Sequence, residues 1–486
     1  MERNAPPLER KNAKSQNLVY IGSPACTLEI RSSSIIFSMA RIREPKPLNE
    51  LIQDVTPEEL VPLMRKYRAT DAQGRYFHWH EFQWRVEKGD DKLKAWTATK
   101  FARISITKKL PLQAEDDRCF SYCVPDSLFA RLHRIDKMTG GGREIDEGTL
   151  VSSREKDRYL VKSLMQEEAI TSSQLEGAST TRKVAKEMLE KNLPPKDKSQ
   201  QMILNNYRLM KKAVENKNRE LSIDFILELH EIAIYKAIEN QAEPGEIRKN
   251  NDIVVTDLYN NNRFEPPDWE SIPSRLIELC DFANLEHNDP SNFIHPIIKA
   301  IILHFMIAYI HPFADGNGRT ARAIFYWSIL RSGYWLFEYV SISKFIQESR
   351  GDYDKAFIYT ETDDFDITYF LYNQVDVVEK AVKSLQDYID RKKREFYDFT
   401  DWLAKSPVAK TLIQGQIEIV KEALKTPGRE FTVKQVSSDL EVAENTARSY
   451  LNTLVDKQLL VREKSSRGKA IAYLSPANLK ERLQLR

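Results

Sequence analysis

Between Ser153 and Lys421 the apolar positions recur at the three-and-four spacing of amphipathic helices, and this pattern predicts a mainly helical core. The segment EKDRYLVKSLMQEEAITSSQLEGASTTRKVAKEMLEKNL carries the spacing over about 155–192 and stops at Pro194 and Pro195. QMILNNYRLMKKAVEN (201–216) and LSIDFILELHEIAIYKAI (221–238) predict two more helices. Residues 247–268 hold two short extended runs around an Asn-rich turn and end at Pro266 and Pro267, which predicts a β-hairpin. Three helices follow, over about 269–287, 297–309 and 317–333. Before the helical core, YFHWHEFQWRV (76–86) and ARISITKKLPL (102–112) alternate in a strand-like way, with the aromatic residues and His78 and His80 read as core packing. MTGGGREIDEG (138–148) reads as a flexible loop by its glycines.

After the core, residues 376–425 are a highly charged helical connector. The segment 431–476 then predicts a short helix, a turn, a longer helix with Ala447, Leu451 and Leu454 inward, and two strands, the order of a winged helix-turn-helix. The expected organisation is a disordered extension over 1–38, an N-terminal α+β region over 39–150, a helical core over 151–375, the connector over 376–425 and the winged helix-turn-helix over 426–486. Met39 and the residues after it read like a natural chain start.

Composition changes this picture little. A net charge of +2, with 41% hydrophobic and 30% charged residues, suits a globular protein and does not announce a nucleic-acid binder or a membrane-surface protein. The longest apolar run, 297–310, includes Lys299 and falls short of the roughly 20 residues that cross a bilayer. Cys26, Cys119, Cys123 and Cys280 form neither a disulfide framework nor a paired zinc pattern, and a reducing, cytoplasmic compartment is expected.

The apolar run opens onto HPFADGNGRTAR (311–322), where the candidate chemistry lies. Gly316, Asn317 and Gly318 can turn successive N–H groups toward an anion at the start of a helix. Arg319 and Arg322, three apart, fall on one helical face and suit a polyphosphate. Asp315 supplies the hard carboxylate oxygen that Mg²⁺ on a nucleotide requires. His311 is placed to take a proton near neutral pH. Base, metal ligand, anion hole and charge clamp together are the parts of a phosphoryl-type transfer site.

These residues carry a family resemblance. HPFADGNGRTAR resembles the Fic signature, HxFx(D/E)GNGRxxR, at every constrained position, and the likeness extends over roughly 155–345. It implies a Fic-type helical core with the hairpin as its flap, and a protein AMP transferase that moves adenylate from Mg²⁺-bound ATP to a Ser, Thr or Tyr hydroxyl and releases pyrophosphate. In that role His311 deprotonates the hydroxyl, Asp315 holds Mg²⁺, Gly316, Asn317 and Gly318 form the anion hole, and Arg319 and Arg322 grip the outer phosphates. The flap at 247–268 pairs main chain with a target segment. A kinase-like subgroup has Lys where Gly318 stands, so the glycine favours AMP transfer; phosphocholine or another nucleotide as donor stays open.

SSQLEG (172–177) also resembles the Fic inhibitory motif, Ser or Thr followed after three residues by Glu and then Gly or Asn. Ser172 and Glu176, four apart, share a helical face, and Gly177 permits a turn or a close approach. The resemblance implies that Glu176 pairs with Arg322 and keeps it from the γ-phosphate. In some relatives the same glutamate aligns a water for AMP removal, so activity in both directions stays open.

The winged helix leaves its partner open. Its candidate recognition helix balances Arg448 and Lys457 with Glu444 and Asp456, where DNA readers show a stronger basic face, although the wing REKSSRGKA is basic. DNA, a target protein or a second copy of the chain are the alternatives. A DNA-binding regulator with a nucleotide-sensing core is the rival to the enzyme. Self-modification and a homodimer also stay open. His304 is read as packing, His295 as a helix start, and His230 and His287 as lacking partners at metal-ligand spacing.

Overall fold

The computed structural model describes residues 42–53, 55–114, 118–139, 165–238, 242–256, 263–286, 289–405, 408–425, 429–464, 471–476, 478–479 and 482. The expectations for 1–38, most of the glycine loop at 138–148, positions 155–164, His287, the tip of the flap and the outer part of the wing lie outside these residues. The chain divides into two compact units at Leu385 and Gln386.

In the first unit, helices α1 (Leu48–Gln53), α2 (Pro57–Lys66), α3 (Trp79–Phe82) and α4 (Lys92–Ile104) precede two paired antiparallel strands, β1 (Thr107–Gln113) and β2 (Cys119–Cys123), and helix α5 (Asp126–Thr139). The strand expected over 76–86 is instead a short extended stretch ending in one helical turn, whose start is capped by His78 Nδ1 accepting from the His80 N–H at 3.2 Å. The strand expected over 102–112 begins only at Thr107, because Asp91 caps α4 at the Lys94 N–H and the helix runs on to Ile104. Phe77, Phe82 and Trp96 share one apolar cluster. Buried Arg103 donates to the Phe77 carbonyl at 2.7 Å and the Ala69 carbonyl at 3.2 Å, so at Phe77 a side chain takes the place of a sheet partner.

Helix α6 (165–175) comes next. The continuous helix expected to Asn192 breaks after it: Glu176 and Gly177 form a turn with Gly177 at φ +95°, and α7 (Arg182–Glu190) starts afterward. The central layer is α8 (Lys198–Glu215), α9 (Ile223–Ile234), the two-rung hairpin of β3 (Val255–Thr256) and β4 (Arg263–Phe264), then α10 (Ile272–Asn284), α11 (Pro296–Ile310) and α12 (Asn317–Arg331). Helix α11 is apolar nearly all round, and Lys299, Ala308 and Pro296 aside its residues are buried against α10, α12 and their neighbours. It therefore fixes where the polar turn after it must sit.

Helices α13 (Ile342–Glu348) and α14 (Arg350–Thr362) follow, and α15 spans Thr368–Lys405. The turn between α14 and α15 is tied to the N-terminal region by Lys100 on Asp363 at 2.8 Å and by Tyr76 on Asp366 at 2.5 Å.

The second unit holds α16 (Gln414–Lys425), β5 (Glu430–Phe431), α17 (Val433–Asp439), α18 (Glu444–Asp456), β6 (Val461–Lys464) and β7 (Ile471–Leu474). Its strands form an antiparallel sheet in the order β5-β7-β6. Val420, Ala423, Val436, Ala447, Leu451 and Leu454 make its core, and the element order is that of a winged helix-turn-helix. Among the described residues no helix is long and apolar enough to cross a membrane.

Candidate active site

The site begins where α11 ends. His311 precedes Pro312, a position from which right-handed helix is disfavoured, and it adopts the left-handed region at φ 49° and ψ 56°. Its side chain is buried. Nδ1 lies 3.3 Å from the Ala308 carbonyl, so this nitrogen donates, and Nε2 is buried with no hydrogen-bond partner among the described residues and its lone pair available. Burial pushes the imidazole down to about 4; the Ala308 carbonyl works upward, Arg248 downward and Glu176 upward. At neutral pH His311 is an uncharged acceptor.

Four residues later the chain turns back into helix. Gly316 caps α12 at φ +85°, and a Cβ there would come within 2.7 Å of Ile234 Cγ2 and 3.2 Å of His230 Cδ2, so only glycine fits. The leading N–H groups of α12 have no acceptor within the helix and form the start of an anion cradle. The Asn317 side chain does not extend that cradle. Its Oδ1 accepts from the Phe313 N–H at 3.0 Å and its Nδ2 donates to the Phe313 carbonyl at 2.7 Å, which locks the loop into shape.

Arg319 and Arg322 do not share a partner as their spacing suggested. Arg319 is 1% exposed and donates inward, to the Ala233 carbonyl at 2.7 Å and to Asp315 Oδ1 at 2.9 Å. It joins the end of α9 to the loop carboxylate. Arg322 instead turns to α6: Nε donates to Ser172 Oγ at 2.8 Å, and Nη2 to the Ser172 carbonyl at 3.2 Å and to Glu176 Oε1 at 2.9 Å. Burial opposes the charge of Glu176, yet Arg322, then Arg319 and Arg350, outweigh it and hold the carboxyl group below its ordinary range. Gly177 forms the turn that follows. Glu176 also reaches Gly318 closely enough that a Cβ on that glycine would lie 2.3 Å from Oε1.

For a divalent cation the loop supplies one carboxylate, Asp315, whose side chain is 15% exposed. Mg²⁺ is bound by one or two carboxylates with the remaining oxygens from phosphate and water, so this donor fits a nucleotide-borne Mg²⁺ rather than a closed protein cage.

Residues 220–329 match the model of the Fic/DOC family. This segment is similar to a Fic domain. Over 115 residues the chain is 36% identical to the protein named protein adenylyltransferase fic-1 of Caenorhabditis elegans, an alignment that takes in 24% of this chain and 20% of that protein. Over 118 residues it is 33% identical to protein adenylyltransferase Fic of Nematostella vectensis, with 24% of this chain and 25% of that one aligned. The chain thus spans a quarter or less of the length of these relatives. A Fic family protein from Desulfovibrio desulfuricans G20 superposes with a TM-score of 0.47 at 17% identity, covering 71% of this chain and 96% of that chain.

Two residues that support the Fic loop stand outside its signature, and sequence reasoning missed both. His230 on α9 stacks flat on Phe313 at 3.6 Å between ring centroids. Its Nδ1 accepts from the Gly245 N–H at 3.2 Å, which leaves Nε2–H to donate to the Asp315 carbonyl at 2.9 Å. Burial lowers its pKa to about 4, with the Asp315 hydrogen bond against and Arg319 in the same direction. The second is Arg248, buried, whose Nε donates to the His311 carbonyl at 2.9 Å. The clue to Arg248 was its place at the stem of the hairpin; His230 left no local signal.

Proposed function

We propose that this chain is an autoinhibited protein AMP transferase. The observation that carries the reading is His311: a buried imidazole whose Nε2 has no partner among the described residues, six positions before the start of a helix whose N-terminus suits phosphate. His311 Nε2 takes the proton of a Ser, Thr or Tyr hydroxyl on a target protein. The hydroxyl oxygen attacks the α-phosphorus of ATP, the bond between the α-phosphorus and the bridging oxygen breaks, and pyrophosphate leaves. The α12 N–H groups beside Gly316, Asn317 and Gly318 stabilise charge building on the phosphate oxygens, where preorganised donors act most strongly. Asp315 would hold Mg²⁺, which neutralises phosphate charge when bound. Arg319 acts by orienting Asp315, and Arg322 becomes available to the outer phosphates once Glu176 releases it.

The name adenylyltransferase borne by the relatives, and glycine rather than lysine at position 318, favour adenylate as the group moved. The hairpin whose rungs pair Val255 with Phe264 and Thr256 with Arg263 serves as the flap beside which the target segment lies. Self-modification, a homodimer and a cytoplasmic setting belong to the same reading. Removal of AMP, and phosphocholine or another nucleotide as donor, are its variants.

The test is the intact mass of the Glu176→Gly protein after incubation with Mg²⁺ and ATP. Addition of adenylate to the chain or to an added target, absent with His311→Ala, supports the reading; an unchanged mass with a bound but unconsumed nucleotide counts against it. The element order of the C-terminal unit favours the rival, a DNA-binding regulator. Salt-dependent retention on duplex DNA at micromolar protein, without adenylate transfer, would support it.

A further inference from the structure

Arg248 stands between the flap and the catalytic loop and donates to both. On the loop side, Nε reaches the His311 carbonyl at 2.9 Å and the Arg248 N–H reaches the Pro312 carbonyl at 2.9 Å. On the flap side, Nη1 donates to the Asn250 carbonyl at 2.7 Å and to Asn251 Oδ1 at 3.0 Å, and Nη2 donates to the Pro267 carbonyl. Asn250 and Asn251 lie on the segment that leads into β3, and Pro267 lies on the segment that follows β4. The guanidinium is buried, and its hydrogen bonds go to carbonyl and amide oxygens.

The geometry points to Arg248 as a positioning residue that couples the seating of the flap to the backbone of His311. A planar fork with five donors can serve three chain segments at once, whereas an ammonium is a point charge on a flexible stem. His311 needs such support because its backbone is held in the left-handed region. Under the reading above, the flap carries the acceptor segment and His311 takes its proton. One side chain then sets both halves of the reaction geometry, and small misplacement is costly. This inference rests on that reading for its catalytic consequence, but not for the coupling itself.

The test uses the full chain with Arg248→Lys and, separately, Asn251→Ala, which removes the Arg248–Asn251 contact together with the bonds of Asn251 to Asp268 and to the Trp269 N–H, and leaves the Arg248–His311 bond. Amide hydrogen exchange is followed at 249–268, at 311–318 and in the buried α11 core. Arg248→Lys is expected to speed exchange at least about tenfold in both the flap and the loop while α11 stays protected. Asn251→Ala is expected to speed the flap alone. In the Glu176→Gly background, Arg248→Lys is expected to cut the rate of transfer from α-labelled ATP at least about tenfold with KM for ATP within about twofold. Uniform acceleration through α11, unchanged exchange in both segments, or a raised KM at unchanged kcat would overturn the coupling. If the Glu176→Gly parent transfers no label, the AMP-transfer reading fails, and the exchange measurements still decide the coupling.

Discussion

Gly318 and Glu176 are fitted to each other: a Cβ on the glycine would lie 2.3 Å from Glu176 Oε1 and 3.1 Å from Arg322 Nη1. The closeness follows from the turn at Glu176–Gly177, which lowers the glutamate onto the first turn of α12. Gly318→Ala raises helix propensity locally, but it must displace the carboxylate from Arg322. The nucleotide-free variant is therefore expected to show faster amide exchange over 172–177 than the unmutated chain. Unchanged exchange there would mean that the pair yields without separating.

Ser172 shares Arg322 with Glu176 and anchors it at Nε. Ser172→Ala leaves one donor of a buried guanidinium without its acceptor, at a cost of about 1–3 kcal/mol. The ion pair to Glu176 survives in this variant. We expect adenylate transfer to rise, but by less than in Glu176→Gly, as measured by label from α-labelled ATP. Transfer equal to that of Glu176→Gly would show that Ser172, not the carboxylate, holds the arginine.

His230 acts on the site through the Asp315 carbonyl and the Phe313 ring. His230→Ala removes both supports and is expected to lower kcat by about ten- to a hundredfold in the Glu176→Gly background, in line with the loss of a group that orients a metal ligand. His230→Gln, which can still donate to the carbonyl, is expected to recover part of it. Equal rates for the two variants would assign the effect to packing alone.

Among the described residues, four histidines are buried uncharged. Burial is the main cause in each case and lowers His78 and His304 to about 3 and His230 and His311 to about 4, from an ordinary value of 6.5. The unfolded chain takes up these protons before the folded one does. Their contribution to stability is full above about 6.5 and is lost as pH falls toward the folded values, at up to about 1.4 kcal/mol per pH unit for each histidine. Urea denaturation should give a midpoint that declines steadily as pH is lowered from about 7 to about 5. A flat midpoint would show that these imidazoles are not buried in solution.

The sequence carried the loop at 311–322, the hexapeptide at 172–177 and the helices around them, because each is a local pattern: a His-Pro helix stop, a glycine cap and a three-and-four apolar stripe. It misjudged 76–86, where alternating aromatic residues serve a helical turn as well as they would a strand, and where Arg103 takes the Phe77 carbonyl. It placed Arg319 and Arg322 on one face, yet their partners lie on different helices, Ala233 of α9 and Ser172 of α6. His230 was not legible, and Arg248 offered only its place at the hairpin stem. Their contacts reach Asp315 across 85 positions and His311 across 63, and side-chain-to-carbonyl bonds at such separations leave no periodicity to read.

Under the proposed function, His311 drives transfer of the α-phosphoryl group with its adenosine, restrained by Glu176 on Arg322. The most direct measurement incubates Glu176→Gly with Mg²⁺ and either α-labelled or γ-labelled ATP, beside the unmutated chain and the Glu176→Gly/His311→Ala double variant. Label is expected on protein from the α position alone, several times above the unmutated chain and absent from the double variant. Label from the γ position, or α label undiminished by His311→Ala, would contradict it.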